Sequence, residues 1–311
     1  MTRQRPNGRC REKISGPFSS VRPATVLFDR SGGGSRMTDH VRYGLYLPPF
    51  GPFGDPAVLV DLAVRAEAAG WDGVFLWDHV APAMPPIADT WTTLAAVAQA
   101  TSTVLLGPMV TPPSRRRPWI LARQAATLSR LSRGRLILGT GIGSDESGDF
   151  SRFGDPSSPA ELSARTDEAL QIMRAMWAGE AVRHEGPHYR VSLEAAAPEP
   201  YPIPVWTAST TQHARVLRRA AGSDGIFPNP GPEPLAPAAL ADLVARVRPS
   251  DRPYEVAVSG NASPAWEDPG TVDLAALAEA GMTWWMESLI HFDPLELSLT
   301  VVDAGPPRIG G

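Results

Sequence analysis

Asp78-His79 ends the short apolar run Gly73–Trp77 and is the pair best equipped for chemistry. Histidine can take or give a proton near neutral pH, and a carboxylate beside it can orient a loop or a ligand. Their alternative use is a loop cap and an imidazole satisfied by the backbone. Four other sets invite a reading. His184-Glu185-Gly186-Pro187-His188 has the spacing of a zinc-binding H-E-x-x-H. That pattern needs a helix to bring both imidazoles to one face, and Gly-Pro at its centre forbids one, so a hairpin turn is expected. Gly139-Thr140-Gly141-Ile142-Gly143 follows an apolar run, but Ser144 stands where a dinucleotide fingerprint needs a third glycine and no helix follows. It reads either as a wall that lets a planar ring approach the backbone or as a tight strand-end turn. Arg115-Arg116-Arg117 could meet a phosphate, but solvated arginines or pairs with helix acids are favoured. Ser209-Thr210-Thr211 is expected to open a helix, either as a phosphate site or as an ordinary cap.

Absences narrow the chemistry further. Lys13 is the only lysine and Cys10 the only cysteine, so residues 37–311 carry neither. Schiff-base, pyridoxal and thiol chemistry are excluded there. Clustered metal ligands at strand ends would be limited to Asp78, His79 and Glu287, so no metal is expected. Trp284-Trp285 is read as core.

These residues need a frame, and the apolar pattern supplies one. Strands are expected over Val41–Leu47, Gly73–Trp77, Val104–Val110, Leu136–Leu138, Pro204–Ala208, Asp224–Phe227, Tyr254–Ser259 and Thr283–Leu289. Helices are expected over Pro56–Ala69, Thr90–Thr101, Trp119–Leu131, Pro159–Trp177, Thr211–Ala221, Ala236–Val247, Thr271–Ala280 and Pro294–Val302, with a hairpin excursion over Val182–Val191. The strands are continuous apolar runs, as buried parallel strands are. Eight strand–helix units predict an α/β protein, a (β/α)8 TIM barrel, with a doubly wound open sheet as the other solution. A barrel places its site at the C-terminal strand ends. Those ends are rich in small residues and poor in charge, which suits a flat, largely apolar ligand.

The chain has 311 residues and a net charge of −4. Residues 1–36 hold seven Arg and one Lys against two acids, +6, and the remainder is therefore at −10. Gly, Pro and Ser recur through that segment without periodicity, so it is read as a disordered extension, with Met37 expected to be the true start and residues 37–311 the barrel domain. The acidic balance gives no reason to expect nucleic acid or an anionic membrane. A single cysteine allows no internal disulfide and points to a cytoplasmic setting.

The order of motifs resembles the bacterial-luciferase-like family of flavin- and deazaflavin-dependent oxidoreductases. The matching pieces include G-L-Y-L-P-P-F-G at 44–51, A-E-A-A-G-W-D-G-V-F-L-W-D-H at 66–79, L-L-G-P-M-V-T-P at 105–112, P-V-W-T-A-S at 204–209 and S-D-G-I-F-P at 223–228. The most specific is R-x-P-x-x-L-A-R…L-S-R-G-R-L-x-L-G-x-G-x-G within 116–143. The resemblance implies a flavin or deazaflavin ring across the barrel mouth, with His79 beside the reacting atoms. It implies cofactor contacts from Asp78, Met109, Val110, Gly141, Gly143, Ser144, Ser209 and Thr210, and a non-prolyl cis peptide at Met109–Val110.

There are departures. Similar deazaflavin sugar-phosphate dehydrogenases carry glutamate at the position of Ser144 and an aromatic residue at that of Ala83. Residues 208–210 read A-S-T where many relatives have G-G, and the insertion of the light-emitting members is absent. The leading expectation is therefore a monooxygenase using reduced FMN and oxygen on a small organic substrate. The alternatives are deazaflavin-dependent hydride transfer and a flavin-binding barrel without turnover. A separate reductase would supply the reduced cofactor, and a homodimer is left open.

Overall fold

The computed structural model describes residues 41–80, 85–229, 235–266 and 272–309. The expected extension over residues 1–36, the expected start at Met37 and the departure at Ala83 lie outside them.

All eight expected barrel strands are present. They are β1 (Arg42–Leu47), β2 (Gly73–Leu76), β3 (Leu105–Pro108), β4 (Leu138–Thr140), β7 (Val205–Ser209), β8 (Gly225–Pro228), β9 (Glu255–Gly260) and β10 (Trp284–Ser288). They form one parallel sheet in the order β3-β2-β1-β10-β9-β8-β7-β4. Its two outer strands meet through hydrogen bonds from Leu106 to Arg135, from Ile137 to Leu106 and from Thr111 to Gly139, at 2.9–3.0 Å. The sheet thus curls into a barrel, and the open doubly wound alternative is set aside.

Helices follow the strands: α1 (Pro56–Ala69), α2 (Thr90–Ala100), α3 (Pro118–Leu131), α4 (Pro159–Trp177), α5 (Ala214–Ala221), α6 (Pro237–Val247), α7 (Leu274–Glu279) and α8 (Leu295–Ala304). Helix α1 shows how sequence sets these limits. Asp55 caps its first turn by accepting from the Ala57 amide, Pro56 presets the first helical φ, and Gly70 ends it at φ +85°. Leu59, Leu62, Ala63 and Ala66 recur at helical spacing and are all buried. None of the described helices is long and apolar enough to cross a membrane.

The core has two layers, as a barrel requires. Tyr46, Phe75, Leu105, Ile137, Trp206, Phe227, Trp284 and Met286 fill the interior, while a larger cluster packs the outer strand faces on the helices. The Trp284-Trp285 pair divides between them: Trp284 joins the inner cluster and Trp285 the outer one. Successive strand residues point to opposite faces, so two large side chains in a row serve two different layers.

The 182–191 excursion is an antiparallel hairpin of β5 (Val182–Glu185) and β6 (Arg190–Leu193). His184 Nε2 sits 2.7 Å from Glu168 Oε1 on α4, and the Tyr189 amide donates to the same oxygen at 2.8 Å. The H-E-x-x-H spacing therefore falls in a hairpin and its turn, with His184 docked on a helix.

Candidate active site at the barrel mouth

The loop after β2 carries Asp78 and His79 to the C-terminal rim, where two further loops meet them. One follows β3 and holds Thr111, Arg115 and Arg116. The other follows β4 and brings Asp149. The Asp78 carboxylate is buried and accepts from Thr111 Oγ1 at 2.6 Å and from Arg116 Nη1 and Nη2 at 2.6 and 3.1 Å, with Arg115 Nη2 2.8 Å from its Oδ1. Burial alone would raise this carboxyl, but the Arg116 and Arg115 guanidiniums outweigh it and hold the group below the usual carboxylate range. Both Asp78 oxygens are thus engaged by groups of the loop after β3. The arginine triplet is corrected accordingly. Arg115 and Arg116 pair with the rim acids Asp78 and Asp149, not with helix acids or solvent, and Arg117, exposed just before α3, lies over the Trp119 ring.

His79 is held differently. Its Nδ1 lies 2.6 Å from Asp149 Oδ2, while Asp149 Oδ1 accepts from the Val80 amide at 3.1 Å. Arg115 Nη1 also reaches Asp149 Oδ2, at 3.3 Å. A carboxylate in contact with guanidinium accepts, so Nδ1–H is the donor and Nε2 lies on the far side of the ring. Asp149 was not singled out in the sequence. It lies 70 residues from His79, in a loop that also contains Asp145 and Glu146.

Around His79 the mouth is aromatic. Phe50 approaches it edge-on at 5.9 Å and Trp77 at 6.1 Å, and His291, from the loop after β10, lies 5.0 Å from Phe50. Trp77 Nε1 and His291 Nδ1 are both buried without a hydrogen-bond partner among the described residues. Burial outweighs the nearby Asp293 and holds His291 below the ordinary histidine value, so its imidazole is neutral at pH 7. His291 was another omission; a histidine after the last strand was its only signal.

The Met109–Val110 peptide is cis, as the resemblance implied. Met109 is buried in the barrel interior and Val110 borders it. A Cβ on Gly141 would come 2.9 Å from Val110 Cγ2, and one on Gly143, at φ +82°, would come 2.8 Å from Phe150. Gly141 is thus required by the close approach of Val110, and Gly143 by its positive φ and the nearby Phe150 ring. Ser144 is exposed, and its Oγ accepts from the Glu146 amide at 3.3 Å. Ser209 and Thr210 do not open a helix. The Ser209 hydroxyl closes a local turn on Thr211, accepting its amide at 3.0 Å and donating to its carbonyl at 2.6 Å, and α5 begins only at Ala214.

Glu287, at the end of β10, is buried and internally satisfied. Its Oε1 accepts from the Ala262 and Ser263 amides and from Trp266 Nε1, and its Oε2 accepts from Trp285 Nε1 at 2.7 Å. Burial pushes this carboxyl up although four donors oppose it. It is an anchor for the β9 and β10 loops. The Glu287→Gln variant turns an amide donor toward donors and loses about 1–3 kcal/mol of stability, read as a lower urea midpoint; an unchanged midpoint would show that the loops repack without it.

The family described as luciferase-like monooxygenase matches residues 32–291. The F420-dependent glucose-6-phosphate dehydrogenase of Kineococcus radiotolerans is 33% identical over 261 residues, 78% of this chain and 74% of that one. The protein of the same description from Intrasporangium calvum is 38% identical over 181 residues, 55% of this chain and 52% of that one. The chain thus spans about half the length of the latter relative. Among solved structures, an F420-dependent secondary alcohol dehydrogenase in complex with an F420-acetone adduct shares the fold with a TM-score of 0.68 at 18% identity, over 86% of this chain and 98% of that one. An FMN-bound oxygenating constituent of 3,6-diketocamphane monooxygenase does so at 0.64 and 16%, with the same coverage.

Proposed function

From the premise that the chain belongs to the luciferase-like monooxygenase family, we propose that it is a deazaflavin-dependent oxidoreductase in which His79 exchanges the substrate proton. The observation that carries the reading is the His79–Asp149 hydrogen bond at the aromatic mouth of the barrel. The dehydrogenase relatives favour the deazaflavin over the FMN expected from sequence, and they favour hydride transfer over oxygenation.

The residues present fit such a ring. Trp77 Nε1 is a buried polar atom without a partner among the described residues, beside the His79 imidazole and in an otherwise apolar mouth. A planar heteroaromatic with polar edges would supply what it lacks. Trp77, Phe50, Val110 and the backbone at Gly141–Ser144 would hold it. When bound, the deazaflavin supplies a two-electron hydride acceptor or donor. Oxidising an alcohol to a carbonyl also releases one proton from oxygen, and His79 Nε2 accepts it. In the reverse direction His79 returns that proton. Asp149 keeps the ring in the tautomer that does this and stabilises the imidazolium that forms. The Asp78–Arg115–Arg116 cluster fixes both loops on which the dyad rests, and the aromatic residues exclude water. A separate reductase or dehydrogenase would keep the cofactor cycling.

Titration with F420 and with FMN tests the choice. F420 is expected to bind at least tenfold more tightly by fluorescence and to support hydride exchange under anaerobic conditions. Tighter FMN binding with oxygen-dependent turnover would restore the monooxygenase reading, and binding of neither would sink both.

A further inference from the structure

We propose that the substrate taken at this mouth is uncharged and largely apolar, with a single polar oxygen that His291 helps to hold opposite His79. This rests on the hydride-transfer reading above and adds to it a substrate class and a residue.

The first argument is charge. No lysine follows Lys13, and the loops at the C-terminal strand ends hold arginine only at 115, 116, 117 and 152. Arg115 and Arg116 are engaged by Asp78 and Asp149. Arg117 stands against Trp119, and Arg152 lies along the Gly148 backbone. The same loops carry Asp145, Glu146, Asp155 and Asp293. A dianionic phosphate ester needs converging cations, and this rim offers it mostly carboxylates.

The second argument is apolar surface. Phe292 is 76% exposed, and Phe153, Val80 and Ile87 are exposed too. All four belong to rim loops, and Phe292, Ile87 and Val80 adjoin the aromatic mouth. Phe292 packs on His291 at 4.0 Å, Ile87 pairs with Phe50, Val80 follows His79, and Phe153 lies in the loop that delivers Asp149. Large apolar residues grouped around a site entrance mark what enters it.

The third is His291 itself. Its buried Nδ1 has no partner among the described residues, and it shares Phe50 and Trp77 with His79. An unpaired nitrogen in an apolar wall is costly unless a ligand completes it. A hydroxyl or carbonyl oxygen placed between the two imidazoles would do so, depending on the His291 tautomer.

Imidazole NMR of the cofactor-free protein provides a readout independent of turnover. Cyclohexanone is expected to shift the His291 ring signals, identified by their loss in His291→Gln, whereas glucose 6-phosphate at equal concentration leaves them in place. Phe292→Glu, shown to be folded by circular dichroism, should weaken the cyclohexanone effect at least tenfold. On the F420-loaded protein, cyclohexanol should be oxidised with kcat/KM at least a hundredfold above that for glucose 6-phosphate, and His291→Gln should raise KM for cyclohexanol more than it lowers kcat. Shifts by glucose 6-phosphate, or silence toward cyclohexanone while F420 binds, would overturn the proposal. If cyclohexanone shifts His291 but F420 does not bind, the substrate class stands and the hydride-transfer reading is what fails.

Discussion

Replacing Asp78 with alanine should cost about 3–5 kcal/mol of folding free energy. The variant leaves Arg116, whose side chain is only 16% exposed, without the carboxylate it clamps, and leaves Arg115 with Asp149 as its remaining carboxylate. Removing one member of a buried ion cluster costs more than the cluster contributes, because the remaining charges stay desolvated. For a domain of this size the loss corresponds to a melting temperature lower by roughly 10 °C. Thermal unfolding followed by circular dichroism checks it, and a shift under about 2 °C would mean that the arginines escape to water. The pH dependence has a definite sign. The Asp78 pKa is depressed in the folded state, so its contribution is fully present above the ordinary carboxylate range. It is lost as pH falls through the folded value, and acid should therefore destabilise the wild type more than the Asp78→Ala variant.

The second large effect is catalytic. His79→Ala should lower kcat about 10²–10⁴-fold while cofactor affinity changes little, because the imidazole's task is proton exchange. Asp149→Asn should lower kcat by roughly 10²-fold, since a carboxamide can donate to Nδ1 and favour the wrong tautomer. The pair is best judged together. If the double variant is no slower than His79→Ala alone, the carboxylate acts through the histidine; if the losses multiply, the two residues work independently. Equal turnover by His79→Ala and wild type would remove the histidine from the mechanism.

The eight strands were legible because buried parallel strands are continuous apolar runs, and the α1 stripe matched its burial residue for residue. Boundaries slipped where local chemistry competed. Leu136 makes only an isolated bridge, so β4 runs over Leu138–Thr140, and Ser209 satisfies Thr211 locally, so α5 starts at Ala214. The most specific motif, which runs from Arg116 to Gly143, serves both ends of the barrel. Its Arg116 reaches Asp78 at the rim, while Arg135 of its L-S-R-G-R stretch is buried at the opposite end and donates to Ala98, Thr101 and Val104, tying the end of α2 to the start of β3. Asp149 and His291 stayed hidden because nothing in the spacing of residues 70 or more apart reveals which loops will meet across a barrel mouth.

The meeting of those loops also bears on how such a protein can change. The His79 ring belongs to one loop and the carboxylate that holds its Nδ1 to another, and Arg115 on a third touches both Asp78 and Asp149. Swapping the β4 loop for a relative's would keep every residue of the β2 loop yet leave the imidazole free to turn. New specificities can be grafted onto this scaffold only as matched sets of loops, so a chimera with one foreign loop should bind cofactor and still be a poor catalyst.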